Sequence, residues 1–258
     1  GEELLHALKK AGALAVFGLP GDYALPLFDV IEETKILPLY TLSHEPAIGF
    51  SADGAARQGG GVGVALVTYG AGAMNMVNPV ACAGADHSPL VVISGAPGTT
   101  ENDAGLMLHH QIKTAKTQMN VFTEFTCDQA RLDDPATAAS AIARVLKNCL
   151  TQSRPVYIEL PRDMIAMPCP PALQADTDSG AKVTEAILKN CLQDIAACLE
   201  KSRKPTLLAG ARVRRFRLEE TVFNLAQHWQ IPLLNSFMGK GLFAGKDWPY
   251  AGSYLGLA

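Results

Sequence analysis

The sequence predicts an α/β protein: a doubly wound parallel sheet with helices on both faces, followed by part of a second α/β domain. Three observations support this prediction. Short apolar runs alternate with longer segments of helical periodicity up to about residue 164. The stretch MPCPPALQADTDSGA, rich in proline and then in small polar residues, interrupts that order. The alternation then resumes and reaches Ala258 before a second layer is complete.

The first βα series begins with a helix over residues 2–11, where three leucines recur at helical spacing. Apolar runs predict strands at 13–17, 37–42, 62–68, 90–94, 122–126 and 156–160. Periodic segments predict helices at 25–33, 45–57, 70–83 and 135–150. From 95 to about 118 the pattern breaks into a long loop of mixed polarity, and loops of this length in compact domains tend to be functional.

The domain boundaries follow from these elements. We expect a first domain at 1–164, a linker at 165–182 and a partial second domain at 183–258. The second series has predicted helices at 183–201 and 219–229, predicted strands at 206–210 and 231–234, and a turn at 238–241.

The composition excludes several classes of protein. The 258 residues are 48% hydrophobic, which is enough for a sizeable core, and carry a formal net charge of −3 without a block of like charges. We therefore expect no nucleic-acid partner, and no apolar run is long enough to predict a membrane span. The six cysteines lack metal-ligand spacing, so we expect free, mostly buried thiols in a cytoplasmic protein.

Two carboxylates follow predicted strands. Asp22 closes the turn GLPGD at the carboxyl end of the first strand, where open α/β sheets bind ligands. Its position also fits an aspartate that caps the next helix. Glu45 begins a predicted helix, a place where the helix dipole by itself favours an acidic residue, and Pro46 suits the first turn. From the residues alone, a functional and a structural role both remain open.

Two further features lie at strand ends. The segment TYGAG at 68–72 has glycines that allow a ligand close to the backbone. The pair His109 and His110 lies in the long loop and suits proton transfer near neutral pH, although an exposed pair is commonly only solvated. No third ligand is spaced near the pair, so we predict no metal site in this chain. Together the four features predict a single crevice.

Several motifs identify a family. GLPGDYALPLFD, LSHEPAIGFSADGAAR, VALVTYGAGAMNMVN and SPLVVISGAPG, in this order, resemble the pyrimidine-binding domain of thiamine-diphosphate-dependent enzymes. GLMLHHQ, VFTEFT and RPVYIELPRDM resemble the 2-keto-acid decarboxylases among them, especially the bacterial phenylpyruvate and indolepyruvate decarboxylases. The resemblance is dense to about residue 164. It continues more loosely in KPTLLAGARVRR and NSFMGKGLF, which are similar to the family's middle domain.

The resemblance implies roles for individual residues. Glu45 matches the glutamate that hydrogen-bonds the aminopyrimidine ring nitrogen of the cofactor. Asp22, His109 and His110 match the polar cluster that handles protons over the thiazolium ring. The expected cofactor-binding residues are Glu45, Thr68, Tyr69, Gly70, Pro20 and Gly21. The family binds the diphosphate and Mg²⁺ on a C-terminal domain through a GDG segment, which this sequence lacks.

The implied activity is non-oxidative decarboxylation of a 2-keto acid of the phenylpyruvate, indolepyruvate or pyruvate type to an aldehyde. This chain would supply the pyrimidine side of each active site within a homodimer or tetramer, and it would be inactive alone. An acetolactate-synthase-type carboligase is the alternative enzyme, and the adjacent histidines disfavour it. A non-catalytic binding module is the alternative outside enzymes, and the joint presence of Glu45, Asp22, His109 and His110 disfavours it.

Overall fold

The computed structural model describes residues 1–103, 107–170 and 183–256. The chain divides into two compact units, residues 1–177 and 178–258. Within the described ranges, no helix combines the length and the apolarity needed to cross a membrane. Most of the predicted linker, residues 171–182, lies outside the described residues. Ile165, at its start, is 4% exposed and packs on the core of the first unit.

The first unit contains a six-stranded parallel sheet in the order β2-β1-β3-β4-β6-β5. Its strands are β1 Val16–Gly18, β2 Leu39–Thr41, β3 Gly63–Val67, β4 Leu90–Ala96, β5 Asp128–Arg131 and β6 Val156–Pro161. Its helices are α1 Glu2–Lys10, α2 Leu25–Thr34, α3 Glu45–Gly59, α4 Ala71–Asn75, α5 Val77–Ala85, α6 Thr99–Asp103, α7 Thr117–Thr123 and α8 Pro135–Gln152. The predicted doubly wound α/β fold is confirmed.

Helices cover both faces of this sheet, and the central strands are therefore apolar throughout. In β3, Val64 and Leu66 face the core formed with α1, α2 and α8. Ala65 and Val67 face the opposite core, which α3, α4, α5 and α7 complete. Successive side chains of a strand point to opposite faces, so one apolar run serves both cores.

One predicted strand is wrong. Residues 122–126 were expected to extend, but 117–123 form α7 and the strand follows at 128–131. Phe122 is fully buried and stacks on Tyr157, with ring centroids 4.1 Å apart. This packing of a helical residue against the sheet outweighs the strand propensity of the segment VFTEFT. The predicted loop at 95–118 is also shorter than expected, because β4 continues to Ala96 and α6 follows it.

The second unit has a three-stranded parallel sheet in the order β7-β8-β9. Its strands are β7 Leu207–Ala209, β8 Leu233–Ser236 and β9 Tyr250–Tyr254, and its helices are α9 Glu185–Lys201, α10 Arg212–Arg215 and α11 Glu219–Trp229. β9 was not predicted, since YAGSY carries little apolar character. It pairs in parallel with β8, and side chains reinforce that pairing: the Tyr250 hydroxyl donates to Asn235 Oδ1 at 2.6 Å, and Asn235 is fully buried.

All six cysteines are free thiols, as predicted, but the expectation that most are buried is wrong. Cys149 is buried in the first core, whereas Cys191 and Cys198 on α9 are exposed. The structure describes no buried residue in α9, the helix that carries both.

Candidate active site

The candidate site lies at the switch point of the sheet, where successive connections run to opposite sides of β1. β1 pairs with both β2 and β3, so the connection after β1 runs to one side and the strand after α3 returns on the other. Ligands of open α/β folds bind at the carboxyl ends of strands at such a point. The segments that leave β1 and β3 there are residues 19–22 and 68–70. Both contain residues predicted from the sequence.

Asp22 and Thr68 connect these two segments. The Thr68 hydroxyl donates to Asp22 Oδ1 at 3.1 Å, across 46 residues of sequence, and accepts from the Tyr23 N–H at 3.3 Å. Gly21 packs so closely on Thr68 that a Cβ on it would lie 2.6 Å from the threonine Cβ. Asp22 does not cap α2, whose N-cap residue is Ala24 without a side-chain cap. The contact with Thr68 therefore takes the place of the capping role that the sequence left open.

The histidine pair lies beside Asp22. His109 Nε2 is 3.7 Å from Asp22 Oδ2, and the two imidazole ring centroids are 3.7 Å apart. The Tyr23 hydroxyl donates to the backbone oxygen of His109 at 3.2 Å. Burial, and after it the Asp22 carboxylate, raises the pKa of Tyr23, which keeps that hydroxyl protonated as a donor. Both histidines are exposed, but they are held against a carboxylate.

The fold supplies a neighbour that the spacing of the sequence did not show. Asp22, His109 and His110 offer ligand atoms that all lie within 4.8 Å of one another. No third ligand is spaced near the histidines in the sequence, but in three dimensions Asp22 lies beside them. All three residues are exposed, and such clusters are common without an ion. That this chain holds no metal stays a prediction.

The turn after β3 depends on Gly70. Its φ of +73° lies in the region that favours glycine, and a Cβ there would lie 2.3 Å from the backbone oxygen of His110. Tyr69, just before it, is 3% exposed and contacts Tyr23 edge to face, with ring centroids 5.7 Å apart. The turn and the histidine pair are therefore in backbone contact.

Replacing Gly70 with alanine is expected to destabilise the protein by at least about 2 kcal/mol, because a left-handed φ and a backbone clash act together. The free energy of unfolding in urea measures the effect. Gly54→Ala is the matched control, because Gly54 lies in α3 with open space where a Cβ would be. The control is expected to be neutral or slightly stabilising. Equal stability of the two variants would contradict the requirement for glycine at position 70.

Glu45 is the first residue of α3, so the predicted helix start is confirmed. Asn75 Nδ2 donates to Glu45 Oε2 at 3.0 Å. The other carboxylate oxygen, Oε1, lies 3.5 Å from where a Cβ of Gly72 would be, and Thr68 Cγ2 lies 3.1 Å from the same point. Oε1 thus borders a space that exists because residue 72 has no side chain.

Sequence reasoning missed three residues of this site: Asn75, Tyr23 and Gln118. Asn75 interrupts the apolar run GAMNMV, and a polar residue on an otherwise apolar helix is the signal that could have revealed it. Tyr23 and Gln118 gave no comparable signal, because their roles depend on burial against distant segments. Pro20, predicted to touch the cofactor, is exposed in the segment between Leu19 and Gly21.

This architecture is that of an open, doubly wound α/β domain with a candidate ligand site at its switch point, and comparison with known families defines its class. Residues 1–122 match the family described as thiamine pyrophosphate enzyme, N-terminal TPP binding domain. Residues 192–258 match thiamine pyrophosphate enzyme, central domain. The chain therefore belongs to the thiamine pyrophosphate enzymes and carries their N-terminal and central domains.

Curated relatives narrow the comparison. The chain is 53% identical over 257 residues to an indole-3-pyruvate decarboxylase of Azospirillum brasilense, covering 100% of this chain and 47% of that protein. It is 30% identical to a probable pyruvate decarboxylase of Schizosaccharomyces pombe, covering 99% of this chain and 45% of the relative. It is 29% identical to pyruvate decarboxylase isozyme 1 of Saccharomyces cerevisiae, covering 99% and 46%. The chain thus spans about half the length of these relatives.

Proposed function

We propose that the protein carrying this chain decarboxylates a 2-keto acid non-oxidatively to an aldehyde with thiamine diphosphate. The observation that carries the proposal is that Thr68 connects the two candidate groups within a domain of the TPP-binding family: its hydroxyl donates to Asp22, which lies beside His109 and His110, and its Cγ2 borders the same Cβ position of Gly72 as Glu45 Oε1. The relatives named indolepyruvate and pyruvate decarboxylases support the same reaction.

The residues around Glu45 fit the aminopyrimidine ring of this cofactor. Glu45 Oε1 borders the space left by Gly72, while Asn75 holds the other oxygen of the carboxylate. A side chain at residue 72 would crowd Thr68 and Glu45, so glycine keeps Oε1 accessible, and a carboxyl group there can share a proton with a ring nitrogen of the aminopyrimidine. We propose Thr68, Tyr69, Gly70, Pro20 and Gly21 as the remaining cofactor contacts of this chain.

When bound, thiamine diphosphate supplies a nucleophilic carbon and a cationic ring that accepts the electrons released on decarboxylation. Glu45 holds a proton-accepting carboxylate at a defined place, fixed by Asn75 and by the start of α3. Asp22 and His109, 3.7 Å apart, would supply the proton that the product carbon requires. Tyr23 positions the His109 backbone, and Thr68 positions the Asp22 carboxylate.

The finer parts of the proposal concern the whole protein. The 53% identity to an indole-3-pyruvate decarboxylase favours an aromatic substrate, indolepyruvate or phenylpyruvate, over pyruvate. We propose that a C-terminal domain holds the diphosphate and Mg²⁺, that each site is completed by a second subunit of a homodimer or tetramer, and that residues 1–164 and 183–258 are separate domains. Six free thiols favour the cytoplasm as its compartment.

The decisive experiment gives the full-length protein thiamine diphosphate, Mg²⁺ and a panel of indolepyruvate, phenylpyruvate and pyruvate. Aldehyde and carbon dioxide in equal amounts are expected from at least one of them, and residues 1–258 alone are expected to yield none. A condensed 2-hydroxy-2-acyl acid as the main product would instead identify a carboligase. Cofactor binding without turnover of any keto acid would identify a binding module.

A further inference from the structure

Beside the turn after β3 lies a buried polar cluster that the proposed chemistry does not use. Gln118 on α7 is 1% exposed, and its neighbours Ser94, Tyr157 and Glu159 are fully buried. Burying polar groups is costly unless their hydrogen bonds are satisfied. The hydrogen bonds among these side chains therefore determine how each of them is oriented.

The cluster begins at the turn after β3. Gln118 Oε1 accepts from the Gly70 N–H at 2.7 Å, and this bond is buried. Gln118 Nε2 donates to Ser94 Oγ at 3.0 Å and to the Tyr157 hydroxyl oxygen. The Ser94 hydroxyl donates its own hydrogen to the Gly95 oxygen at 2.8 Å, so its Oγ is an acceptor toward Gln118. One side-chain amide thus joins the site turn to β4 and β6.

The cluster ends at an ion pair. The Tyr157 hydroxyl donates to Glu159 Oε1 at 3.1 Å, and Arg131 Nη1 donates to Glu159 Oε2 at 2.8 Å. Burial raises the pKa of Glu159, and the Arg131 guanidinium opposes that rise. Burial also raises the pKa of Tyr157, so its hydroxyl remains a donor.

The donor and acceptor roles of these neighbours determine the orientation of the Gln118 amide. Its NH₂ group must point at Ser94, Tyr157 and Glu159, which all present acceptor oxygens. Its carbonyl oxygen must then point at Gly70. The opposite orientation would oppose an N–H to the Gly70 N–H and an oxygen to the Glu159 carboxylate, leaving buried groups unsatisfied.

The hydrogen bond from the Gly70 N–H to Gln118 Oε1 sets the orientation of the whole Tyr69–Gly70 peptide, because a peptide unit is planar. Gly70 in turn contacts the backbone of His110, whose oxygen would lie 2.3 Å from a Cβ at Gly70. We propose that Gln118 is a positioning residue: its buried amide fixes the Tyr69–Gly70 peptide and, through it, the His109–His110 pair. This inference rests on the proposed function, since it treats the crevice as the site of decarboxylation.

The test compares Gln118→Met with Tyr157→Phe in the full-length protein. Methionine has a similar volume but cannot accept from Gly70, whereas Tyr157→Phe removes a hydroxyl from the same cluster and leaves the Gln118–Gly70 bond in place. Both variants are expected to lower the melting temperature. Only Gln118→Met is expected to lower kcat, by about 10- to 100-fold with KM changed less than about threefold, because misplacement of catalytic groups has effects of that size.

A second readout needs no turnover. Hydrogen exchange at the Gly70 amide, followed by mass spectrometry of peptides spanning 68–72, is expected to accelerate in Gln118→Met and not in Tyr157→Phe. Unchanged exchange in Gln118→Met, or a kcat loss that tracks melting temperature equally in both variants, would overturn the inference. If the unmodified protein makes no aldehyde, the proposed function fails, while the exchange result still reports whether Gln118 holds the turn.

Discussion

Replacing Glu45 with glutamine is expected to lower kcat for keto-acid decarboxylation by about 10²- to 10⁴-fold, the range typical of losing a positioned proton-transfer group. Glutamine has the shape of glutamate and still offers Asn75 an acceptor oxygen, so the start of α3 should be preserved. What disappears is the negative charge and the capacity to accept a proton beside the Gly72 space. Steady-state kinetics of the full-length protein measure the effect.

A surface glutamate provides the control for this substitution. Glu33 is exposed on α2, and Glu33→Gln makes the same chemical change away from the crevice. Its kcat is expected to match that of the unmodified protein. If Glu45→Gln kept more than about a tenth of the activity, Glu45 would have only its helix-start role, since loss of a proton-transfer group costs more.

The second large effect is expected at the Asp22–His109 pair. Asp22→Asn should lower kcat by about 10²-fold, because asparagine still accepts from Thr68 but removes the charge 3.7 Å from His109 Nε2. His109→Gln should cost a similar factor. Because the two side chains act as a unit, the double variant is expected to lose about as much as either single variant, and a double-mutant cycle measures this coupling.

The chain contains a matched pair for comparison. His6 Nε2 lies 3.7 Å from Glu2 Oε1 on α1, the same separation as in the site, and both side chains are exposed. His6→Gln and Glu2→Gln are expected to leave kcat unchanged. Independent, additive losses at Asp22 and His109 would argue that they do not share one proton-transfer role.

The elements that the sequence predicts correctly are those whose signal lies within one short segment of the chain. A parallel sheet covered on both faces needs continuous apolar strands, and VALV and LVVIS show that need directly in their residues. The position of Glu45 at the start of α3 could likewise be predicted, because the residues that signal a helix start are contiguous in the chain.

Errors arose where packing outweighed local preference. The segment VFTEFT favours a strand, yet its first phenylalanine, Phe122, lies in α7 and stacks on Tyr157. β9 has weak strand character and is held by contacts with Asn235. In both cases the deciding free energy comes from contacts with residues distant in the chain, which no window of sequence contains.

The sequence by itself determined the α/β class, the positions of most strands of the first sheet along the chain, and the kinds of chemical group at the strand ends. Only the tertiary structure decided which of those groups meet: Asp22 with Thr68 and His109, Glu45 with Asn75, and Gly70 with Gln118. The physical reason is that periodicity reports the environment of one segment at a time. The distance between two side chains depends on strand order and register, and the orientation of a buried amide depends on every hydrogen bond around it.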